Sequence, residues 1–294
     1  MSHDLSHVRF HGVEPRGRTL GLRPRVAVRV PPAPVDPVPR GELGPLCRRV
    51  LEHEGLDPAA YRASTLQRRV AACLRALKVH SEQEALALLE ANPGLWEAAA
   101  DSLLIGVTAF FRDPTVFGVL ESVVLPDLAR RDRIRAWSAG CSTGAELFSL
   151  AILLDQAGLL DRSELLGTDC RPSAVKQAES GRLWPADAGE IDPAIRARYV
   201  ETRGGELRVV RSLTSRIRWK AANLLAIVED GPWDIVLWRN AAMYLHERAS
   251  EATYGRISAA LRSGGYLVVG KAERPPANLP LSAVARSIYQ KGGA

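Results

Sequence analysis

The sequence predicts an α/β fold, a small helical domain followed by an open, doubly wound sheet, and three observations carry the prediction. Ile134 to Ala151 reads IRAWSAGCSTGAELFSLA, an apolar run that breaks into glycines and small residues and resumes with helical spacing, as a strand, tight turn and helix do. Further apolar runs of strand length recur downstream, alternating with stretches of helical period. Upstream, leucines and valines recur at three- and four-residue spacing.

Residues 1–40 carry Pro24, Pro31, Pro32, Pro34, Pro37 and Pro39, a density that forbids a packed helix or central strand and predicts a disordered tail. Seven arginines stand there against Asp4, Glu14 and Asp36, so most of the net charge of +6 belongs to the tail and the rest of the chain is close to neutral. With no reading motif beside it, the tail implies no specific nucleic-acid binding. His3, His7 and His11 fall at i, i+4 and i+8, but the segment has too little apolar content to order them, and no metal site is expected.

Residues 41–104 read as a helical bundle. Leu46, Val50 and Leu51, then Leu66, Val70 and Leu74, then Leu86, Leu89 and Leu95 mark its apolar faces, with breaks near Pro58 and Pro93. Arg62, Gln67, Arg68, Arg69 and Arg75 on the second helix form a basic face, ordinarily just solvated and otherwise suited to an acidic helical partner. Residues 105–294 read as the sheet domain. Its strands are expected near 134–139, 164–169, 215–220, 233–238 and 265–270, and its helices near 145–156, 172–180 and 247–262. Between 181 and 214, short alternating runs at Arg198–Glu201 and Glu206–Arg211 flank Gly204 and Gly205 and predict an inserted antiparallel hairpin. Leu281 to Gln290 reads as a final edge strand.

With 294 residues and no apolar run near the ~20 needed to cross a bilayer, no membrane insertion is expected. The four cysteines form no CxxC pair, and the chain opens without a charged segment and apolar signal core, which points to the reducing cytoplasm. A monomer is expected.

Chemistry concentrates around the glycine turn. Gly140 and Gly144 remove side chains that would keep a ligand from the backbone. Asp169 closes the second strand in LLGTD, where an acid accepts hydrogen bonds from both ribose hydroxyls of a bound nucleoside. This suits NAD and S-adenosylmethionine alike. A dinucleotide fingerprint wants glycine at 140, 142 and 145, whereas this chain has Gly140, Ser142 and Ala145. Glu146 would repel a pyrophosphate yet tolerate a sulfonium cofactor with a cationic amino-acid end, although a first-turn Glu is also simply a good helix start.

Four further segments narrow the reading: VTAFFRD at 107–113, AANLL at 221–225, DIVLWRNAAMYL at 234–245 and LRSGGYLVVGKAE at 261–273. With YRASTLQRRV at 61–70, they resemble the CheR family, S-adenosylmethionine-dependent glutamate O-methyltransferases that modify chemoreceptors. The likeness spans roughly residues 45–290. It implies a small helical domain, a Rossmann-like class I methyltransferase domain and an inserted antiparallel β-subdomain. It further implies that Asp169 holds the ribose and that Asn223 and Leu224 border the adenine. Glu146 with the loop of Gly140, Cys141, Ser142 and Gly144 holds the methionine end, Thr108, Arg112, Arg239 and Asn240 line the site, and Tyr244 faces the substrate glutamate. The implied partner is the cytoplasmic helical region of a chemoreceptor or a related signalling protein.

Methyl transfer from a sulfonium to a carboxylate cancels opposite charges and needs no strong base, so the lack of an obvious catalytic His or Cys is expected. Arg112 orients a carboxylate, the substrate's or the cofactor's, through paired N–H donors, and Tyr244 donates one hydrogen bond. Phe110 and Phe111 read as core packing between the two domains. The chain departs from the family pattern at Gly106, Ala145, Trp238, Ala241 and Lys271–Ala272. Those departures leave a second reading, a non-catalytic docking module of a signalling complex.

Overall fold

The computed structural model describes residues 42–104, 108–183 and 191–293. The Pro/Arg-rich segment 1–40 with its three histidines, and Gly106, lie outside the described residues. The described residues belong to one compact unit.

The helical part holds α1 (Pro45–His53), α2 (Ala63–Leu77), α3 (Glu82–Ala91) and α4 (Trp96–Leu103). Proline ends or starts these elements: Pro45 opens α1, while Pro58 and Pro93 sit in single 3₁₀ turns before α2 and α4. Ser81 caps α3 by accepting from the Glu84 N–H. Leu46, Val50, Leu51, Leu66, Val70, Leu74 and Leu89 are buried as their spacing predicts, whereas Leu86 and Leu95 are half-buried.

A helix that the sequence analysis does not foresee follows: α5 (Pro114–Val119) runs through a π turn, Leu120–Val124, into α6 (Leu125–Leu128). Pro126 explains the π turn, because its ring and missing N–H cannot be fitted into a regular helical ladder. Strand β1 (Ile134–Ala139) then leads into α7 (Ala145–Gln156), and β2 (Ser163–Asp169) into α8 (Pro172–Ser180).

The insert is larger than a hairpin. It comprises β3 (Arg182–Leu183), α9 (Pro193–Tyr199), β4 (Val200–Arg203), β5 (Glu206–Val209) and α10 (Arg211–Thr214), with sheet order β3-β5-β4. The expected strands shrink by two residues at each outer end. Arg198 and Tyr199 finish α9, whose N-terminus Asp192 caps, and Val210 begins the turn into α10. Tyr199 donates to Asp155 at 2.7 Å, tying the insert to α7.

The chain ends with β6 (Ile217–Ala221), β7 (Trp233–Trp238), α11 (Glu247–Ala260), β8 (Leu261–Val269), β9 (Leu281–Ala285) and β10 (Ile288–Lys291). The single edge strand expected at 281–290 is instead a hairpin turned at Ser287, whose φ is +71°. The main sheet runs β6-β2-β1-β7-β8-β10-β9, its first five strands parallel and β10 antiparallel to both neighbours.

Alternation along the central strands divides the core. Ala136, Ile235, Leu237 and Val268 point to the side packed by α5–α7 and the insert. Trp137, Val236, Trp238, Leu267 and Val269 point to the other side, where α11 and the four N-terminal helices share one apolar cluster with them. The helical domain thus shares one continuous apolar cluster with that face of the sheet. Phe110 and Phe111 pack as expected but not between the domains. Phe110 stacks with Phe148 at 6.3 Å and Phe111 meets Phe117 edge-on at 5.3 Å, both on the α5–α7 side.

Among the described residues, no helix is long and apolar enough to cross a membrane.

Candidate functional site

Successive strands are added outward from β1 through β2 to β6 on one side, then from β7 to β8 on the other. The sheet therefore has its topological switch between β1 and β7, where an open parallel sheet leaves a crevice beyond its carboxyl ends. A cleft of about 470 Å³ lies there. Segments that follow β1, β2, β6 and β7 line it, with Thr108, Ala109 and Arg112 from the loop before α5 and Tyr61 and Leu104 from the helical domain.

The turn after β1 is built from backbone bonds. The N–H groups of Gly140 and Cys141 both donate to the Thr168 carbonyl at 2.8 Å, and Ser142, at a φ of +52°, donates its N–H to Asp169 Oδ2 at 2.8 Å. Gly140, Cys141, Ser142 and Glu146 reach the cleft. Gly144 is not among the lining residues, contrary to its expected place at the methionine end. A Cβ there would lie 2.6 Å from the Trp219 ring and 3.1 Å from Phe148, so its glycine makes room for packing behind the turn. Gly167 does the same, since its Cβ would stand 2.4 Å from Trp219.

Asp169 is buried and already engaged. Besides the Ser142 N–H, it accepts from Arg171 N–H at 3.0 Å and Arg171 Nε at 3.2 Å. Arg171 is itself a buried lining residue that the sequence analysis does not single out. It extends to Ser142 Oγ at 3.1 Å and to Asp101 of α4 at 3.4 Å. Burial pulls its pKa down, but Asp169, Cys170 and Asp101 outweigh that and hold it above the ordinary arginine value.

Glu146 and Arg239 both line the cleft and face each other. Glu146 accepts from Arg239 Nη1 at 3.1 Å and from Ser138 Oγ at 3.1 Å. Arg239 Nη2 donates at 2.8 Å to both the Arg112 carbonyl and Asp113. The Arg239 side chain is 1% exposed, so one guanidinium locks the end of β7, the first turn of α7 and the loop before α5 together. Burial raises the pKa of Glu146, while Arg239 and Ser138 pull it back.

Asn223 lines the cleft and also holds its own turn, accepting from Leu225 N–H at 2.9 Å and donating to the Gly55 carbonyl of the helical domain at 3.3 Å. Asn240, at a φ of +57°, and Tyr244 lie on the turn after β7. A buried residue without an assigned role in the sequence analysis, Glu273, fixes that turn. Its carboxylate accepts from the N–H groups of Asn240 at 2.7 Å, Gly270 at 2.8 Å and Met243 at 3.3 Å. The terminal Glu of LRSGGYLVVGKAE was its one local signal.

Of the sequence-derived candidates, Thr108, Arg112, Gly140, Cys141, Ser142, Glu146, Asp169, Asn223, Leu224, Arg239, Asn240 and Tyr244 line this single cleft, and Gly144 does not. Ala145 is buried in the apolar cluster on the α7 side. Of the expected basic face, Arg68 and Arg75 are exposed and Gln67 and Arg69 half-buried, while Arg62 donates to the Leu245 carbonyl at 2.6 Å. Burial pushes the Cys170 thiol up to about 12 and the Cys141 thiol well above its ordinary value, so both stay protonated at neutral pH and neither offers a thiolate in the cleft.

A parallel sheet of this order, closed by an antiparallel hairpin and bearing a glycine turn after its first strand and an acid at the end of its second, defines a Rossmann-like domain of the nucleoside-cofactor class. The family is narrower than that. Residues 106–286 match the family described as CheR methyltransferase, SAM binding domain, and residues 42–104 match CheR methyltransferase, all-alpha domain; the chain belongs to the CheR methyltransferase family. It is 27% identical over 248 residues to a chemotaxis protein methyltransferase of Listeria innocua, covering 83% of this chain and 95% of that one. It is 29% identical to the chemotaxis protein methyltransferase of Klebsiella aerogenes, covering 83% and 84%. With chemotaxis protein methyltransferase 1 of Pseudomonas aeruginosa it shares 32% identity over 61% of this chain and 70% of that one.

Proposed function

We propose that this methyltransferase esterifies glutamate side chains in the cytoplasmic helical region of a chemoreceptor or a related signalling protein, acting in the cytoplasm as a monomer. In this reading, residues 41–104 form the helical domain, residues 105–294 the methyltransferase domain, and about 181–214 the β-subdomain within it. The observation that carries the reading is the gathering of Thr108, Arg112, Glu146, Asp169, Asn223, Arg239, Asn240 and Tyr244, drawn from five separate segments, onto one cleft.

The residues present fit S-adenosylmethionine. A Cβ at Gly140 would meet nothing nearer than Ala241 at 3.8 Å, so the turn itself crowds no ligand, and Asp169 lines the same cleft. Asp169 would hold the ribose, Asn223 and Leu224 the adenine, and Glu146 with Gly140, Cys141 and Ser142 the methionine end. When bound, the cofactor supplies a methyl group on a positively charged sulfur. Arg112 and Tyr244 orient the acceptor carboxylate, and the apolar wall of Leu104, Trp238 and Leu245 excludes water, so that charge cancels in a dry site. The protonated Cys141 and Cys170 do not compete for the methyl group.

Two measurements test this. Calorimetric titration with S-adenosylmethionine and S-adenosylhomocysteine is expected to show micromolar binding that Asp169→Ala loses. Methyl label transferred to a receptor cytoplasmic fragment is expected to leave as methanol in mild alkali, as an ester does. Alkali-stable label would refute the glutamate assignment, and absence of cofactor binding would favour the docking module.

A further inference from the structure

The ribose has one hydroxyl more than Asp169 has room for. An ionised carboxylate offers about four lone-pair positions. Three of those on Asp169 are filled by the Ser142 N–H at 2.8 Å, the Arg171 N–H at 3.0 Å and Arg171 Nε at 3.2 Å. Both Arg171 bonds fall on Oδ1 and the Ser142 bond on Oδ2, so one position is left, on Oδ2. A ribose presents two hydroxyls, so the second needs a partner from elsewhere on the cleft wall.

Tyr61 lines the same cleft as Asp169 and Cys170 but comes from the helical domain. It is 8% exposed, and its hydroxyl has no hydrogen-bond partner among the described residues. Other buried tyrosines contrast with it: Tyr199 donates to Asp155 and Tyr266 to Asp127, while the Tyr254 hydroxyl is sealed in the interior. Burial raises the pKa of the Tyr61 phenol, with Cys170 and Asp169 adding to the effect, so the group keeps its proton and stays a donor.

The backbone around Tyr61 is held in place. Tyr61 forms an antiparallel bridge with Leu245, the Arg62 N–H donates to the Tyr244 carbonyl at 2.8 Å, and the His246 N–H donates to the Ala60 carbonyl at 2.9 Å. Arg62 Nε adds a bond to the Leu245 carbonyl at 2.6 Å. A side chain on such a zipper is preorganised and loses little freedom when it meets a ligand.

We infer that Tyr61 shares the cofactor's ribose with Asp169, its hydroxyl bonding the ribose hydroxyl that Asp169 cannot take, which makes the helical domain part of the cofactor site. The inference rests on the placing of the ribose at Asp169 proposed above. It also assigns a purpose to the zipper between residues 60–62 and 244–246: it seats Tyr61 on the same turn that carries Tyr244.

The test is equilibrium titration of the full chain with S-adenosylhomocysteine and with its 2′-deoxy and 3′-deoxy analogues, using the unmodified protein, Tyr61→Phe and Asp169→Ala. Tyr61→Phe keeps the ring and its packing, and its melting temperature is measured alongside. The expected result is a five- to tenfold weaker affinity of Tyr61→Phe for S-adenosylhomocysteine, with that penalty disappearing for one of the two deoxy analogues. An affinity within twofold of the unmodified protein, or the same penalty for all three ligands, overturns the inference while leaving the ribose reading intact if Asp169→Ala still loses binding. Absence of binding by the unmodified protein overturns both.

Discussion

Replacing Arg239 by alanine removes one guanidinium that joins three segments of the site. It donates to Glu146 at 3.1 Å and to Asp113 and the Arg112 carbonyl at 2.8 Å, and its carbon lies 5.5 Å from the centre of the Phe117 ring. Deleting one partner of a buried ion pair costs about 3–5 kcal/mol, because the other charge is left in a poor solvent. Asp113 is 26% exposed and regains water, so the loss comes mainly from Glu146, which is 13% exposed. Glu146 escapes part of the penalty by taking up a proton, which sets the cost near the lower end, about 3 kcal/mol at neutral pH. For a protein of this size that is a fall in Tm of roughly 6–12 °C.

The dependence on pH has a definite sign. Burial already raises the pKa of Glu146 in the folded protein, with Arg239 opposing it, so removing Arg239 raises it further. A group whose folded pKa lies above its unfolded value stabilises the fold below the unfolded pKa and loses that stabilisation as pH rises through the folded one. The deficit of Arg239→Ala relative to the unmodified protein is therefore smallest at acid pH and grows toward pH 8. Thermal unfolding followed by circular dichroism at about pH 5, 6.5 and 8 measures this. A fall of less than about 3 °C at pH 8, or a deficit independent of pH, would refute the reasoning.

Gly140→Ala and Gly144→Ala share a positive φ, +71° and +89°, and so a backbone cost of about 1–2 kcal/mol, but only at Gly144 does the new Cβ strike Trp219 and Phe148. Urea unfolding is expected to show Gly144→Ala less stable than Gly140→Ala by a further ~1–3 kcal/mol, and equal losses would mean that the turn relaxes away from Trp219. Glu273→Ala leaves the buried N–H groups of Asn240 and Gly270 without an acceptor, at about 1–3 kcal/mol for each, and is expected to weaken cofactor binding through the Asn240 turn. Calorimetric titration of that variant with S-adenosylhomocysteine would show unchanged affinity if Glu273 merely supported the fold.

Much of the architecture was legible because it is strongly patterned. The bounds of β1, β7, α7 and α8 match the apolar runs and their glycine and proline punctuation residue for residue. The helix through Pro114–Leu128 was not legible, since Gly118 and Pro126 look like breaks and only the π turn carries the chain past the proline. The terminal hairpin was hidden by Ser287, a residue type that seldom adopts a positive φ.

Around the cleft the same division holds. The motifs around Gly140, Asp169, Asn223, Arg239 and Tyr244 were readable as short segments, because turns, strand ends and caps leave their mark on a few neighbouring residues. The pairing of Glu146 with Arg239 across 93 positions was not. Nor were the hold of Arg171 on Asp169 and Asp101, the buckle formed by Glu273, or the arrival of Tyr61 from the helical domain. Spacing along the chain determined which segments turn, extend or coil and which residue types the turns beyond the strands carry. Which of those residues face the cleft and which hold one another was decided only by packing, because contacts between distant segments depend on the sheet order and on how each side chain is desolvated, and neither leaves a local pattern.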